Sequence, residues 1–366
     1  MRFCRLAAMY VMCFGVCAAS DYIIQQSKSF IHSVIQLKNS VNEVAAPPHK
    51  MKLSEHPDVA AVEVLEGQVA GPKTGAVRKE LATESAALQE VQPPAPKPVY
   101  VPRRRPSSEE QAKLLDKVRD YAINYTRKLP DFICLEETRR YVDTTGRETW
   151  LLVDVLTARL SYFNQKEDYT LVSQNGRLVT DVSYASMGGA FSMGDFGTDM
   201  RDIFDPASHA RFAWKRWATL RGRRTHVFSY RVPLEFSRYT IAYQDEQKGA
   251  VQRIKVAYRG SVFVDEELNT ILRIEQEALN IPPSFPILQA EETLDYDFTK
   301  IGDSEFFLPL VSNLKIHSHA VLTKNVKEFR HYRKFSAGAV IKFDGRELPP
   351  LPDDKTKEQM PQPQPK

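Results

Sequence analysis

From Asp131 onward the chain is divided by tight turn signals into short segments rich in Val, Thr, Tyr and Ile, and this spacing constrains the fold more than any other feature. Asp143 to Gly146, Asn164 to Glu167, Asn175-Gly176, Arg221-Gly222, Asp265 to Asn269 and Lys324-Asn325 all read as hairpin turns. Asn, Asp and Gly tolerate the left-handed backbone that such loops demand. Connections this short join antiparallel neighbours, whereas parallel strands need a long crossover. The pattern predicts a meander of about ten strands. In Glu291 to Phe298, Leu294, Tyr296 and Phe298 alternate with Thr293, Asp295 and Asp297, so one sheet face is expected to be wet.

Ahead of the meander, Ser107 and Glu110 have capping-box spacing, and Leu114, Val118, Tyr121, Ala122, Tyr125 and Leu129 trace one helical face that Pro130 ends. Between Asp181 and Ala210 the alternation gives way to a Gly-Ser-Met-rich loop and a short helix near Thr198 to Phe204. Together these predict an α+β domain, a curved antiparallel sheet forming a half-open, barrel-like meander. The N-terminal amphipathic helix and the short helical insertion are expected to cover one face.

Prolines set the limits. Sixteen of the 23 lie in 45–106 and 347–366, where Tyr100 is the only aromatic residue. Such stretches bury too little apolar surface to offset chain entropy, so they read as a disordered linker and a disordered tail. Residues 107–346 remain as one folded unit. With 34 Lys and Arg against 33 Asp and Glu, this unit has no nucleic-acid footprint. Apolar residues from Ile23 to Val41 recur at roughly helical spacing, read as an amphipathic helix over 21–44, short or only marginally ordered.

Arg2 and Arg5 precede an uncharged run from Leu6 to Ser20, with Ala18 and Ser20 before Asp21. This is the pattern of a secretory signal over residues 1–20, placing the chain in the periplasm or outside the cell. The rival is an uncleaved inner-membrane tether. Three cysteines fall inside the signal, leaving Cys134 alone, and Ile133, Leu135, Glu136 and Glu137 around it make it a buried structural thiol.

Gly260 to Glu275, then Leu294-Asp-Tyr-Asp-Phe298 and Phe307-Leu-Pro309, resemble a hairpin series shared by uncharacterised secreted bacterial proteins. The wider layout is similar to the half-open barrels of the LolA/LolB and RseB group. That resemblance implies a cavity between sheet and helices that holds an acyl chain or a lipoprotein. It is topological and transfers no site residue.

The candidate ligand patch is Pro206 to Leu234, which has seven basic residues and no acid. Arg211, Trp214, Trp217, Arg221, Arg223 and Arg224 are its expected ligand-binding residues. Guanidinium groups suit phosphate and aromatic rings cover acyl carbon, so a lipid, lipoprotein or other anionic amphiphile is the expected partner. Solvated charges paired with acidic strands are the plainer alternative. Gly188, Gly189, Gly194 and Gly197 suggest a flexible lid or rim loop. His317 and His319 share a strand face, and His331 would join them only with a three-residue loop at 324–325; solvent-facing histidines are the default, and no metal or cofactor is expected. No Gly-x-Ser-x-Gly, His-Glu-x-x-His or Cys-x-x-Cys occurs, so the chain reads as non-catalytic. Binding an amphiphile in the half-barrel is one expected function. A structural or regulatory protein-interaction module of the envelope, with a filled interior, is another, and an enzyme is the third.

Overall fold

The computed structural model describes residues 35–39, 103–180, 187, 189–244, 251–319, 321–335 and 346–360. The expected secretory signal over residues 1–20 lies outside them, as does the proline-rich stretch up to residue 102. In chain order the elements are β1 (Ile35–Asn39), α1 (Ser108–Lys128), β2 (Phe132–Asp143), β3 (Leu151–Phe163), β4 (Lys166–Gln174), β5 (Arg177–Leu178), β6 (Ala190–Met193), α2 (Thr198–Phe204) and β7 (Arg211–Leu220). They continue with β8 (Arg223–Val232), β9 (Tyr239–Gln244), β10 (Val251–Lys255), β11 (Ala257–Asp265), β12 (Ile271–Leu279), β13 (Ile287–Ile301), β14 (Ser304–Ser318) and β15 (Leu322–Lys334).

Eleven strands form one open sheet in the order β5-β4-β3-β2-β15-β14-β13-β12-β11-β8-β7. Every neighbouring pair in it is antiparallel. The expected α+β meander is therefore present. A second sheet, β10-β9-β1-β6, includes the parallel pair β1/β6. Residues 35–39 are thus a strand rather than part of a helix, and the rest of the expected 21–44 helix lies outside the described residues.

Turn chemistry accounts for most connections. Asn164 with Gln165, Asn175 with Gly176 and Arg221 with Gly222 all take positive φ, as two-residue hairpin turns of the primed types require. Lys324 and Asn325 are an exception to the expectation, since both lie inside β15. The chain reverses earlier, after Ser318, whose hydroxyl accepts the Val321 N–H at 3.1 Å.

α1 begins with the expected capping box, Ser107 with Glu110. Its face of Val118, Ala122 and Tyr125 is buried on the sheet, and the Tyr125 hydroxyl donates to the Phe307 carbonyl at 2.7 Å. Gly197 precedes α2 at φ +103°, and a Cβ there would stand 2.4 Å from Tyr125 Cδ1, so only glycine fits. The segment 189–197 is no rim lid. Phe196 and Asp195 are each 1% exposed, and the Tyr296 hydroxyl donates to the Asp195 carbonyl at 2.9 Å.

The proline-rich tail differs most from expectation. Residues 346–360 cross the sheet face opposite α1, from β2 and β15 toward the β7/β8 turn. There the Gln359 N–H donates to the Thr219 carbonyl at 2.9 Å and Leu220 bridges Glu358. Prolines bar this segment from a full ladder, but arginine side chains of the sheet bind its carbonyls instead. At the other end, Pro106 is buried, so the ordered domain starts before the expected boundary at 107.

Candidate functional site

Trp214 and Trp217 are three residues apart, which in a regular strand would place them on opposite faces. A bulge between Trp214 and Arg216 corrects the parity. Trp214 now opposes Phe228 and Trp217 opposes His226, on the α1 side of the sheet. The two indoles meet edge to face at 6.0 Å, and Trp217 lies 4.1 Å from the His226 ring. Trp214 Nε1 donates to His226 Nδ1 at 3.2 Å, which leaves the hydrogen of a neutral imidazole on Nε2.

Trp217 and His226 floor a cleft of about 370 Å³, walled by Arg103, Arg104, Pro106 and the first turns of α1. Arg103, Arg104, Lys113 and Lys117 line it against two carboxylates, Glu110 and Glu266. Arg103 stacks 4.9 Å above the Trp217 ring and pairs with Glu266 at 2.5 Å. The Arg104 guanidinium beside Glu110 holds its carboxyl down at about 2. Even with both acids ionised the lining carries an excess of two positive charges. His226 is 8% exposed, and burial, reinforced by Arg103, pushes its pKa down to about 4. At neutral pH it offers the cleft an uncharged N–H donor. The arrangement suits an anion carrying an apolar chain: cations at the rim, a neutral donor below and an indole wall.

The six residues expected from the sequence do not form one site. Trp217 lines the cleft, and Trp214 packs edge to face against it without lining the cleft itself. Arg211 lies on the opposite face, in a cleft of about 550 Å³ with Lys215, Arg231, Arg259 and several glutamates. Arg221 is buried, donating to Asp295 at 3.0 Å and to the carbonyls of Leu272, Tyr296 and Lys355. Arg223 pairs with Asp265, and Arg224 with Glu266 at 3.4 Å. Acidic residues of the neighbouring β11–β12 turn thus pair with Arg223 and Arg224. The cleft cations come from elsewhere. Lys113 and Lys117 were legible as one helical face, but nothing local in the sequence places that face or Arg103 beside Trp217.

The space inside the half-barrel is occupied by a buried polar cluster. Lys327, 3% exposed, donates to Asp195 at 2.5 Å and to the Ser192 carbonyl at 3.3 Å. Glu292 accepts from the Ser312 hydroxyl at 2.7 Å. Beside them Arg140 grips Asp154 through two bonds of 2.7 and 2.6 Å. The 189–196 segment is thereby tied to the inner face of β14 and β15. Glu167, at the cluster's edge, is raised to about 7 by burial and by Asp195. Cys134 is buried, and burial with Glu136 and Glu167 nearby pushes its thiol well up, the reverse of an activated nucleophile.

His317, His319 and His331 are all exposed. His317 pairs with Leu322, while His331 sits at the far end of β15 in a bulge, so the three do not converge. Among the described residues no group of three His, Cys, Asp or Glu could hold a metal ion, and no helix is long and apolar enough to cross a membrane.

No protein-family model matches the sequence, and no curated protein matches it. Similar solved structures include a DUF1329 family protein from Desulfovibrio piger, 8% identical with a TM-score of 0.26, covering 62% of this chain and 95% of that one. A LolA superfamily protein from Nitrosomonas europaea is 11% identical with a TM-score of 0.23, covering 64% and 94%. A putative outer membrane lipoprotein-sorting protein domain from Vibrio parahaemolyticus is 10% identical with a TM-score of 0.22, covering 62% and 92%.

Proposed function

We propose that this is a non-catalytic binding protein of the cell envelope, which holds an anionic amphiphile at the Trp217 cleft rather than deep inside the half-barrel. The observation that carries the reading is the pairing of an indole floor with an excess of cations around a cleft of about 370 Å³. The head group meets Arg103, Lys117 and the His226 N–H, and the chain lies along Trp217 and Leu114. Export rests on the N-terminal signal pattern of residues 1–20. The test is a fluorescence titration of the full-length chain with dodecyl phosphate, inorganic phosphate and the uncharged dodecyl maltoside. Dodecyl phosphate is expected to bind at least tenfold tighter than either of the others. Trp217→Ala is expected to weaken it at every salt concentration. Lys113→Ala with Lys117→Ala weakens it mainly at low salt, because exposed charges are screened beyond ~8 Å at physiological ionic strength. Folded protein that binds no dodecyl phosphate overturns the reading.

A second reading, a protein-interaction module, is favoured by two observations: the polar cluster fills the inner face around Lys327, and the outer face already carries a bound peptide segment.

A further inference from the structure

The face of the sheet opposite α1 carries a row of buried charges running across the strands. Glu137 and Arg139 on β2, Glu328 and Arg330 on β15, Asp295 on β13 and Arg273 on β12 belong to it. Glu137 is fully buried, and Glu328, Asp295, Arg139 and Arg273 are all under a tenth exposed. The tail lies on this row, and from Leu348 to Thr356 its contacts with the sheet are made through backbone atoms. The Leu348 N–H donates to Glu137 at 2.8 Å, and the Leu351 N–H donates to Glu328 at 3.0 Å. Arg139 donates to the Leu348 carbonyl, Arg330 to that of Pro349 at 2.5 Å, Arg221 to that of Lys355 at 2.9 Å and Arg273 to that of Thr356.

The sequence Leu348-Pro-Pro-Leu-Pro352 explains the fit. Its three prolines have no N–H, so Leu348 and Leu351 supply the only two backbone donors, and each meets a carboxylate. Polyproline II geometry repeats every three residues, which puts these two donors on one side, and Pro352 has its dihedral angles, φ −59° and ψ 143°. Beyond these, the Glu358 carboxylate pairs with Arg216 through two bonds, one of 2.8 Å, and Gln359 Oε1 accepts the Gly222 N–H at 2.6 Å. Leu348 and Leu351 are only partly covered, and most other side chains from Arg346 to Met360 are exposed. Over Leu348 to Thr356 the surface reads carbonyls, two spaced N–H groups and an extended backbone rather than side chains.

We infer that this channel is a receptor for an extended, proline-spaced segment of a partner polypeptide, and that residues 346–360 are a built-in competitor occupying it. The segment it fits has two non-proline residues three apart, separated by prolines, in polyproline conformation. Tethering gives the tail an effective concentration on the order of millimolar, so a partner must displace it or arrive when it is released. The inference does not depend on the Trp217 cleft, which lies on the other face.

The test uses full-length protein carrying Leu348→Pro and Leu351→Pro, whose tail lacks both donors. A labelled peptide of residues 346–360 is titrated by fluorescence anisotropy into this variant and into the wild type. The peptide is expected to bind the variant at least tenfold more tightly than the wild type, and a peptide bearing the same two prolines is expected not to bind. Equal binding to both proteins, or binding to neither, overturns the inference. Should the variant not fold, hydrogen exchange on the wild type decides. Leu348 and Leu351 amides that exchange at least a hundredfold faster than those of β14 support an exchangeable tail, and amides as protected as β14 refute it.

Discussion

Replacing Lys327 by Met keeps the length of the side chain and removes its charge from the middle of the half-barrel. The ammonium is 3% exposed and 2.5 Å from Asp195. Burial alone would lower its pKa, but the Asp195, Glu136 and Glu292 carboxylates override that and raise it. Glu292 is itself pushed up by burial and by Asp195, so the cluster already carries as much negative charge as one lysine supports. Removing one partner of a buried pair costs about 3–5 kcal/mol, because the remaining carboxylates are left in a low-dielectric site. Measured against a typical fold stability of about 5–15 kcal/mol, that is a large fraction. Urea denaturation at neutral pH, extrapolated linearly to water, is the assay. The orphaned carboxylates will have folded-state pKa values above their unfolded ones, so the variant's deficit should shrink as pH falls toward 5. Adding Asp195→Asn should recover part of the loss, with a coupling of about 1–3 kcal/mol. A Lys327→Met variant that loses less than about 1 kcal/mol, or whose deficit does not change with pH, would refute the view that this cluster pins the 189–196 segment to the sheet.

Three further outcomes are expected. His226 has a folded pKa of about 4 against an ordinary value near 6.5, so the unfolded chain takes up its proton first and stability is lost as pH falls between those values; His226→Asn should flatten this slope by about 2–3 kcal/mol in pH-dependent denaturation. Glu167 works in the opposite direction: with a folded pKa of about 7, its ionisation erodes stability as pH rises from about 4.5 to 7, and Glu167→Gln should gain about 1 kcal/mol at pH 8 after allowance for its partial exposure. Gly197→Ala must both hold alanine at φ +103° and displace the Tyr125 ring, and a loss of at least about 2 kcal/mol in thermal or urea unfolding is expected.

Local chemistry made the meander legible. Capping residues, Asn-Gly and related pairs and the alternation along β13 each act within a few residues, and the structure follows them. The failures share a cause, which is satisfaction from a distance. Nothing local in β2 announces that Glu136, Glu137, Arg139 and Arg140 are all buried; the Met187 carbonyl and the 189–196 segment cover one face and the tail the other. The tail seemed too polar to order, and it orders by pairing its backbone with the charged row that it covers. Asn325 resembled a turn residue, but in β15 its side chain donates to the Ala190 carbonyl. The arginines of the β7–β8 hairpin seemed free for a ligand, but acids of the next turn pair with Arg223 and Arg224, and Asp295 of β13 with Arg221. In the candidate site the tryptophans were legible as a pair, whereas their common face depends on a bulge that no residue between them announces.

The pairing of β2 with β15 sets an order of events for the newly made chain. Glu137 finds its ladder partner in Glu328, about 190 residues later, so this central seam closes only after nearly the whole domain has been released, and such non-local pairings fold slowly. Until then β2 to β4 and β7 to β14 are two separate ribbons with unpaired edges. A nascent polypeptide of this design is expected to keep both ribbon edges unpaired until β15, its last long strand, is made and closes the seam.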